Sequence, residues 1–283
     1  MATFEPKVLL SGIGFPEGLR WHAGSVWFSD FLTRRVCSVD MAGRLTRQAY
    51  VPGQPSGLGF RPDGVPLVVS MMDRKVVALT PGHSTLARDL TRVAGGSCND
   101  MAVDRLGRAY VTGFGYEAMY LGVDTTRTTP IFLVEPGGQV HAVGGELHMP
   151  NGIAISADGG TLVVAETTAQ RLSAYDIAAD GSLDNRRVFA ALPGRAPDGI
   201  CIDVEGAVWV SCYSTGEFVR VREGGGITDC LARPAGHWAT ACALGGPDGR
   251  TLFCALAKTD HEKMMGGEAE GCIEAVTVDV PAW

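Results

Sequence analysis

The 283-residue sequence lacks the cysteine spacings that would point to a thiolate metal site or a redox motif. Its eight cysteines are scattered, and no two of them form a Cys-x-x-Cys pair. Zinc sites built from thiolates use closely spaced pairs, so such a site is not expected. We interpret the cysteines as small hydrophobic residues of a protein in a reducing compartment, which predicts a cytoplasmic location.

Long apolar runs and basic stretches are also missing. No apolar run approaches the ~18 residues that a membrane-spanning helix requires, and residues 1–11 show no basic-then-apolar signal sequence. Lys and Arg number 24 against 31 Asp and Glu, so the net charge is −7, and no basic patch is interleaved with aromatic residues. We therefore expect neither a membrane nor a nucleic acid as partner; the pattern does not indicate an oligomeric state.

The motifs of two common hydrolase classes are absent as well. There is no Gly-x-Ser-x-Gly nucleophile elbow, and His261-Glu262 is not followed by a second histidine at metalloprotease spacing. Any chemistry must therefore come from another arrangement of polar residues.

A short unit recurs six times along the chain: a polar residue, a brief apolar strand, a turn and a second strand. The polar first positions, 39 to 52 residues apart, are Glu17, Ser56, Asn99, Asn151, Asp198 and Thr240. A period of about 40 to 50 residues with several strands per repeat is typical of propeller blades. The sequence predicts an all-β, six-bladed β-propeller with four-stranded antiparallel blades, in a single domain over residues 1–283. Residues 3–10 are expected to pair with the last blade and close the ring.

The six polar positions have a functional implication. Equivalent positions in a closed radial array lie on a ring around the axis, so the repeat brings six side-chain oxygens to one mouth of the channel. An oxygen-rich ring suits a hard cation. The alternative is that each residue is an ordinary turn residue before a strand. Glu17 favours the cation site, because a turn has no special use for glutamate.

The second strand of each unit returns to the same face, so its last residues form a second ring. Asp30 and Glu166 are candidates to orient metal ligands or water. The residues expected to wall a substrate pocket are Phe31, Met72, Phe114, Tyr213, His148 and Trp238. The alternative is that the apolar members belong only to the core.

A family resemblance rests on these same residues. The motifs that carry it are Glu17-Gly18 with Trp21, Asn99-Asp100, Pro150-Asn151-Gly152, and Pro197-Asp198-Gly199 followed by Asp203, Gly206 and Trp209. Together they resemble the SMP-30/gluconolactonase/LRE-like family, which includes regucalcin and sugar lactonases, over essentially the whole chain. The resemblance implies a six-bladed propeller with one divalent metal ion on the axis.

The resemblance also implies roles for individual residues. Glu17, Asn151 and Asp198 match the family's metal ligands, Asn99 matches a position that contacts substrate or water, and Asp198 matches the proposed general base. The expected reaction is hydrolysis of a lactone, with the metal polarising the carbonyl and activating water. Oxygen ligands accept Ca²⁺, Zn²⁺, Mn²⁺, Mg²⁺ or Fe²⁺, so the ion is not specified.

One position departs from the sugar lactonase pattern. Sugar lactonases of this family often carry Arg two residues before the Asn-Asp pair, and here that position is Ser97. With an apolar wall, this favours a less hydroxylated or partly apolar lactone. Residues 116–129 form an insertion and residues 259–271 a polar, Gly-rich segment that we interpret as a mobile loop; either is a candidate cover for the pocket.

Two other functions fit the same pattern. The site could serve another hydrolase, such as an esterase or phosphotriesterase-like enzyme, or an isomerase or dehydratase. The propeller could instead be non-catalytic with a structural cation, because one fold hosts many functions.

Overall fold

In the computed structural model, which describes residues 4–80 and 83–283, the strands form six four-stranded antiparallel sheets. Blade 1 consists of β2 (Pro16–His22), β3 (Ser25–Asp30), β4 (Arg35–Asp40) and β5 (Leu45–Tyr50). Blade 2 consists of β6 (Pro55–Phe60), β7 (Pro66–Ser70), β8 (Lys75–Thr80) and β9 (His83–Asp89). Blade 3 consists of β10 (Cys98–Val103), β11 (Ala109–Gly113), β12 (Thr129–Val134) and β13 (Val140–Leu147). Blade 4 consists of β14 (Pro150–Ile155), β15 (Thr161–Glu166), β16 (Arg171–Ile177) and β17 (Leu183–Ala191). Blade 5 consists of β18 (Pro197–Ile202), β19 (Val208–Cys212), β20 (Glu217–Val221) and β21 (Ile227–Ala232). Blade 6 consists of β22 (His237–Gly245), β23 (Thr251–Lys258), β24 (Glu270–Thr277) and β1 (Lys7–Ile13). The predicted six-bladed all-β propeller is confirmed.

The first strand closes the ring. β1 pairs antiparallel with β24, from Lys7 opposite Ala275 to Ile13 opposite Gly271, and is the outermost strand of blade 6. β1 thus covers the edge of β24 and completes blade 6 with a strand that precedes blade 1 in the chain, which closes the ring. The closing strand reaches further than the expected residues 3–10, and residue 3 lies outside the described residues.

Apolar side chains between neighbouring blades form the core. Among the described residues, six buried clusters each join two adjacent blades, and a seventh lies at one mouth of the channel. For example, Val163 and Leu172 of blade 4 pack with Ile200 and Val210 of blade 5. The first strand of every blade is innermost, and these strands approach one another closely. A Cβ placed on Gly152 would lie only 2.3 Å from the carbonyl oxygen of Asp198, so glycine is required there.

Two short helices lie in the longer connections of the described chain, α1 (Ala118–Leu121) and α2 (His261–Met265). α1 belongs to the 116–129 insertion. α2 lies in the 259–271 segment and begins at Asp260, whose side chain accepts a hydrogen bond from the Lys263 backbone. This segment therefore contains ordered structure that its polar, Gly-rich composition did not indicate. No helix in residues 4–80 and 83–283 is long and apolar enough to cross a membrane.

Candidate metal centre and substrate pocket

Four of the six polar ring residues are joined by side-chain hydrogen bonds across consecutive blades. The Ser56 hydroxyl donates to Asn99 Oδ1 at 2.9 Å, and Asn99 Nδ2 donates to Asn151 Oδ1 at 2.6 Å. The Asn151 side chain in turn hydrogen-bonds the Asp198 carboxyl. The ring thus passes from blade 2 to blade 5, and the structure brings together Asn99, Asn151 and Asp198 as the repeat predicts.

Ionisation of the two ring carboxyls, Glu17 and Asp198, is unfavourable in the folded protein. Burial, together with the negative charges of Asp198 and Asp100, raises the pKa of Glu17 well above its usual range. Burial and Asp100 likewise raise the pKa of Asp198, although its hydrogen bond with Asn151 acts in the opposite direction. Both carboxylates would be stabilised in the ionised form by a nearby cation.

The donor set fits a hard divalent cation. It consists of two carboxylates and an amide oxygen, which are the ligand types that Ca²⁺ and Mg²⁺ accept. The described residues contain no group of three or more His, Cys, Asp and Glu that could hold a metal ion, and the set inferred here has only two acidic members. Asn151 would supply the third oxygen of this candidate set.

Thr240 bonds the backbone of the neighbouring blade. Its hydroxyl is buried and donates to the Pro16 carbonyl oxygen at 2.6 Å, which ties blade 6 to blade 1. Thr167 makes the same kind of bond to Pro197, at 2.7 Å. The short hydroxyl side chain satisfies the backbone of the next blade. Thr240 thus differs from the four ring residues that are joined by side-chain hydrogen bonds.

The second-ring carboxylates Asp30 and Glu166 hold the scaffold. Asp30 accepts backbone hydrogen bonds from Gly14 and Phe15 at 3.0 and 3.1 Å. Glu166 is fully buried and accepts hydrogen bonds from Arg171, Ser173 and the His148 backbone, among others. Their oxygens are therefore used in fixing the loops that lead into the ring strands.

Apolar side chains surround the ring on the same face. The cluster at the channel mouth includes Phe15, Phe31, Met71, Phe114, Tyr116 and Ala257 as buried members, with Met72, Met149, Trp238 and Met264 packed against them. Phe15, Met149 and Trp238 each stand two residues before a ring position, which places the cluster beside the ring. Tyr213 packs edge-on against Trp238 with ring centroids 5.3 Å apart. Burial and the charge of Asp198 raise the pKa of Tyr213, so Tyr213 lies near this ring carboxylate. We call the cluster at the channel mouth, together with Tyr213, the wall.

The sixth pocket candidate, His148, precedes Met149 of this cluster and is held by two hydrogen-bond contacts. Its Nδ1 is 3.3 Å from the Thr125 carbonyl oxygen of the insertion, and its backbone N–H is held by Glu166. Both candidate covers contribute to the wall itself, Tyr116 and Ala118 from the insertion and Met264 from α2. The contact of Met264 could not be predicted from the sequence, because it depends on how the 259–271 segment folds back.

A further carboxylate lies beside the wall. The Ser97 hydroxyl donates to Glu117 Oε2 at 2.7 Å and lies 3.9 Å from the Met72 sulfur. Glu117 was not singled out from the sequence, since it stands in an insertion of no recognisable pattern. A carboxylate therefore lies beside the position where Ser97, in place of an arginine, indicated fewer partners for substrate hydroxyls.

Comparison with known proteins agrees with this architecture. The family model described as SMP-30/gluconolactonase/LRE-like region matches residues 15–258. The chain belongs to this family. It is 25% identical to 6-deoxy-6-sulfogluconolactonase from Pseudomonas putida, covering 90% of this chain and 88% of that protein. It is 26% identical to bovine (Bos taurus) regucalcin, covering 90% and 87%.

Solved structures show the same fold. A luciferin-regenerating enzyme matches with a TM-score of 0.82 at 18% identity, covering 99% of this chain and 98% of the other. Regucalcin from Agrobacterium tumefaciens, described as a calcium-binding protein, matches with a TM-score of 0.80 at 23% identity, covering 100% and 98%.

Proposed function

We propose that this protein is a metal-dependent lactonase, which hydrolyses a cyclic ester at one divalent cation held by Glu17, Asn151 and Asp198. The observation that carries the proposal is the run of hydrogen bonds from Ser56 to Asp198, which ends on a buried carboxylate near a second one, Glu17. The similarity to 6-deoxy-6-sulfogluconolactonase supports the reaction type.

The ring residues have separate roles in this reaction. A divalent cation, when bound, would polarise the ester carbonyl and make water more acidic. Asp198 accepts the proton of the attacking water as that water adds to the carbonyl carbon. The ring C–O bond then breaks, and the proton passes to the departing alkoxide, which gives a hydroxy acid. Asn99, held between Ser56 and Asn151, orients the substrate.

The wall around the ring supports a partly apolar substrate. Met72 and Trp238, which are only partly buried, offer apolar contact area and few hydrogen-bond partners, with the buried Phe31 and Phe114 in the same cluster. Glu117, whose Oε2 accepts from the Ser97 hydroxyl, would supply an acceptor at one side. Each sugar hydroxyl left without a partner costs about 1–3 kcal/mol. We therefore propose a lactone with one apolar part and few hydroxyls, acted on in the cytoplasm, where the eight free thiols are stable.

The proposal is tested by a panel of lactones offered to protein stripped of metal and then restored with Ca²⁺, Mg²⁺, Mn²⁺, Zn²⁺ or Fe²⁺. Acid release in a pH-stat should vanish on stripping and return with at least one ion. Open-chain esters and a phosphotriester serve as matched comparisons for the other hydrolase classes. Equal rates in stripped and restored protein, or no lactone hydrolysed with any ion, would contradict the proposal.

Calorimetry on the same samples separates the non-catalytic alternative. A cation that binds without any turnover of the panel would support a structural cation instead. A cation that binds and restores turnover supports the lactonase.

A further inference from the structure

Arg20 and Asp100 form an ion pair next to ring positions of blades 1 and 3, and neither residue takes part in the reaction described above. Arg20 of β2 stands three residues after Glu17, and its Nη2 donates to Asp100 Oδ1 at 2.9 Å and to the Met101 carbonyl oxygen at 2.7 Å. Its Nη1 donates to the Leu19 carbonyl oxygen at 2.8 Å. The guanidinium therefore joins the innermost strand of blade 1 to that of blade 3.

Asp100 occupies a position where other blades have no charge. The residue after the ring position is glycine in four blades, namely Gly18, Gly57, Gly152 and Gly199. In blade 3 it is Asp100, which is 4% exposed. The intervening blade makes room for it, since a Cβ on Gly57 would lie 2.4 Å from the Asp100 Cα. A buried carboxylate beside two others is costly unless a positive charge accompanies it.

The charges in this part of the channel can be counted. Glu17, Asp198 and Asp100 contribute three negative charges when ionised, and Arg20 contributes one positive charge. The net value is −2, which a single divalent cation neutralises. Asp100 acts electrostatically on both Glu17 and Asp198, so its charge belongs to their surroundings.

We propose that Arg20, paired with Asp100, sets the charge of the cation site so that it favours a divalent over a trivalent ion. The proposal rests on the cation site of the proposed function and assigns Arg20 the role of a positioning and specificity-determining residue. Coulomb energy scales with the product of the charges, so each added negative charge favours a trivalent ion more than a divalent one.

Four full-length variants test this at pH 8, where protons compete weakly with metal. Arg20→Met makes the count −3, Asp100→Asn makes it −1, and the double variant returns it to −2. Arg20→Lys keeps the charge while losing the forked hydrogen bonds. The measured quantity is the ratio of Tb³⁺ to Ca²⁺ affinity, from titration calorimetry and terbium luminescence.

The expected changes have opposite signs. Arg20→Met should raise the Tb³⁺/Ca²⁺ affinity ratio about tenfold and Asp100→Asn should lower it by a similar factor, which corresponds to about 1.4 kcal/mol each. The double variant and Arg20→Lys should stay within about threefold of the wild type. A pair that only holds two blades together would instead give the same direction of change, or none, in both single variants.

Arg108→Met is the matched control. Arg108 pairs with Asp104 in blade 3 at 2.6 Å, and their side chains are 12% and 7% exposed against 21% and 6% for Arg20 and Asp100. This variant should lose stability without changing the affinity ratio. The proposal is overturned if both single variants shift the ratio in one direction, if neither shifts it, or if the wild type binds neither ion. If the two single variants change the affinity ratio in opposite directions but the wild type hydrolyses no lactone, only the proposed reaction is rejected.

Discussion

Glu166→Gln tests how the scaffold holds the ring strand of blade 4. The Glu166 carboxylate is fully buried, accepts hydrogen bonds from Arg171 Nε at 2.8 Å and Arg186 Nη2 at 3.1 Å, and also binds the His148 backbone N–H. Burial acts to raise its pKa, but the hydrogen bonds from Arg171, the His148 backbone and Ser173, with the charge of Arg171, outweigh burial and lower the pKa to about 2. A glutamine in this place keeps the shape and loses the charge.

The structure gives the size of the effect. One pKa unit corresponds to about 1.4 kcal/mol, so a carboxyl whose pKa lies near 2 contributes at most about 3 kcal/mol. The side chains of Arg171 and Arg186 are 31% and 35% exposed, and water screens the pair, which reduces the expected loss to about 2 kcal/mol. For a chain of this size that lowers the Tm by roughly 4–6 °C.

The pH dependence has a definite sign. Because the folded-state pKa lies below the unfolded value, the contribution is complete above about pH 4.5 and is lost as the pH falls towards about 2. Urea unfolding of wild type and variant at pH 7 and pH 3 measures it, and the difference between them should shrink at pH 3. Glu223→Gln is the control, since Glu223 pairs with Arg187 at 2.6 Å but is 52% exposed. A loss no greater than that of Glu223→Gln, or one that persists unchanged at pH 3, would refute the reasoning.

Three further predictions concern the ring, the wall and the thiols. Asn99→Ala removes the hydrogen bonds that Asn99 makes with Ser56 and Asn151, and should raise KM about tenfold while kcat stays within about threefold in steady-state kinetics. A tenfold fall in kcat with an unchanged KM would contradict its positioning role. Met264→Ala shortens the α2 contact with the wall and should raise KM severalfold for an apolar lactone but not for a sugar lactone of the same ring size; equal effects on both would argue against an apolar subsite. Cys98 is fully buried, and burial raises its pKa to about 12. An alkylating reagent should therefore modify Cys98 in the unfolded protein and not in the folded protein, as measured by mass spectrometry. Rapid modification of Cys98 in the folded protein would contradict its burial.

Much of the fold could be predicted because each repeat is recognisable from residues that lie close together in the sequence. A polar residue, a short apolar strand and a turn recur at a blade-sized period, and the hydrophobic alternation sets which faces pack between blades. Closure by β1 followed from an early strand without a partner in blade 1. The joined ring residues Asn99, Asn151 and Asp198 occupy equivalent positions in neighbouring repeats, so their proximity follows from symmetry.

The rest depends on contacts that repeats do not encode. Thr240 shares the ring register but bonds to Pro16, because a short hydroxyl side chain can satisfy a nearby carbonyl instead. Met264 reaches the wall only through the way α2 folds over the mouth. Arg20 and Asp100 are 80 residues apart, and their pairing follows from the close approach of three innermost strands. Each of these outcomes is decided by distance in space, which spacing along the chain does not determine.

The central claim is that Asp198 both binds the cation and takes the proton from water. The direct measurement is kcat of Asp198→Asn on the best lactone of the panel, at a metal concentration where calorimetry shows the variant fully loaded. General-base catalysis contributes about 10²–10⁴ in rate, so the account predicts less than about 1% of wild-type turnover. Turnover within about threefold of the wild type, with metal bound, would contradict it.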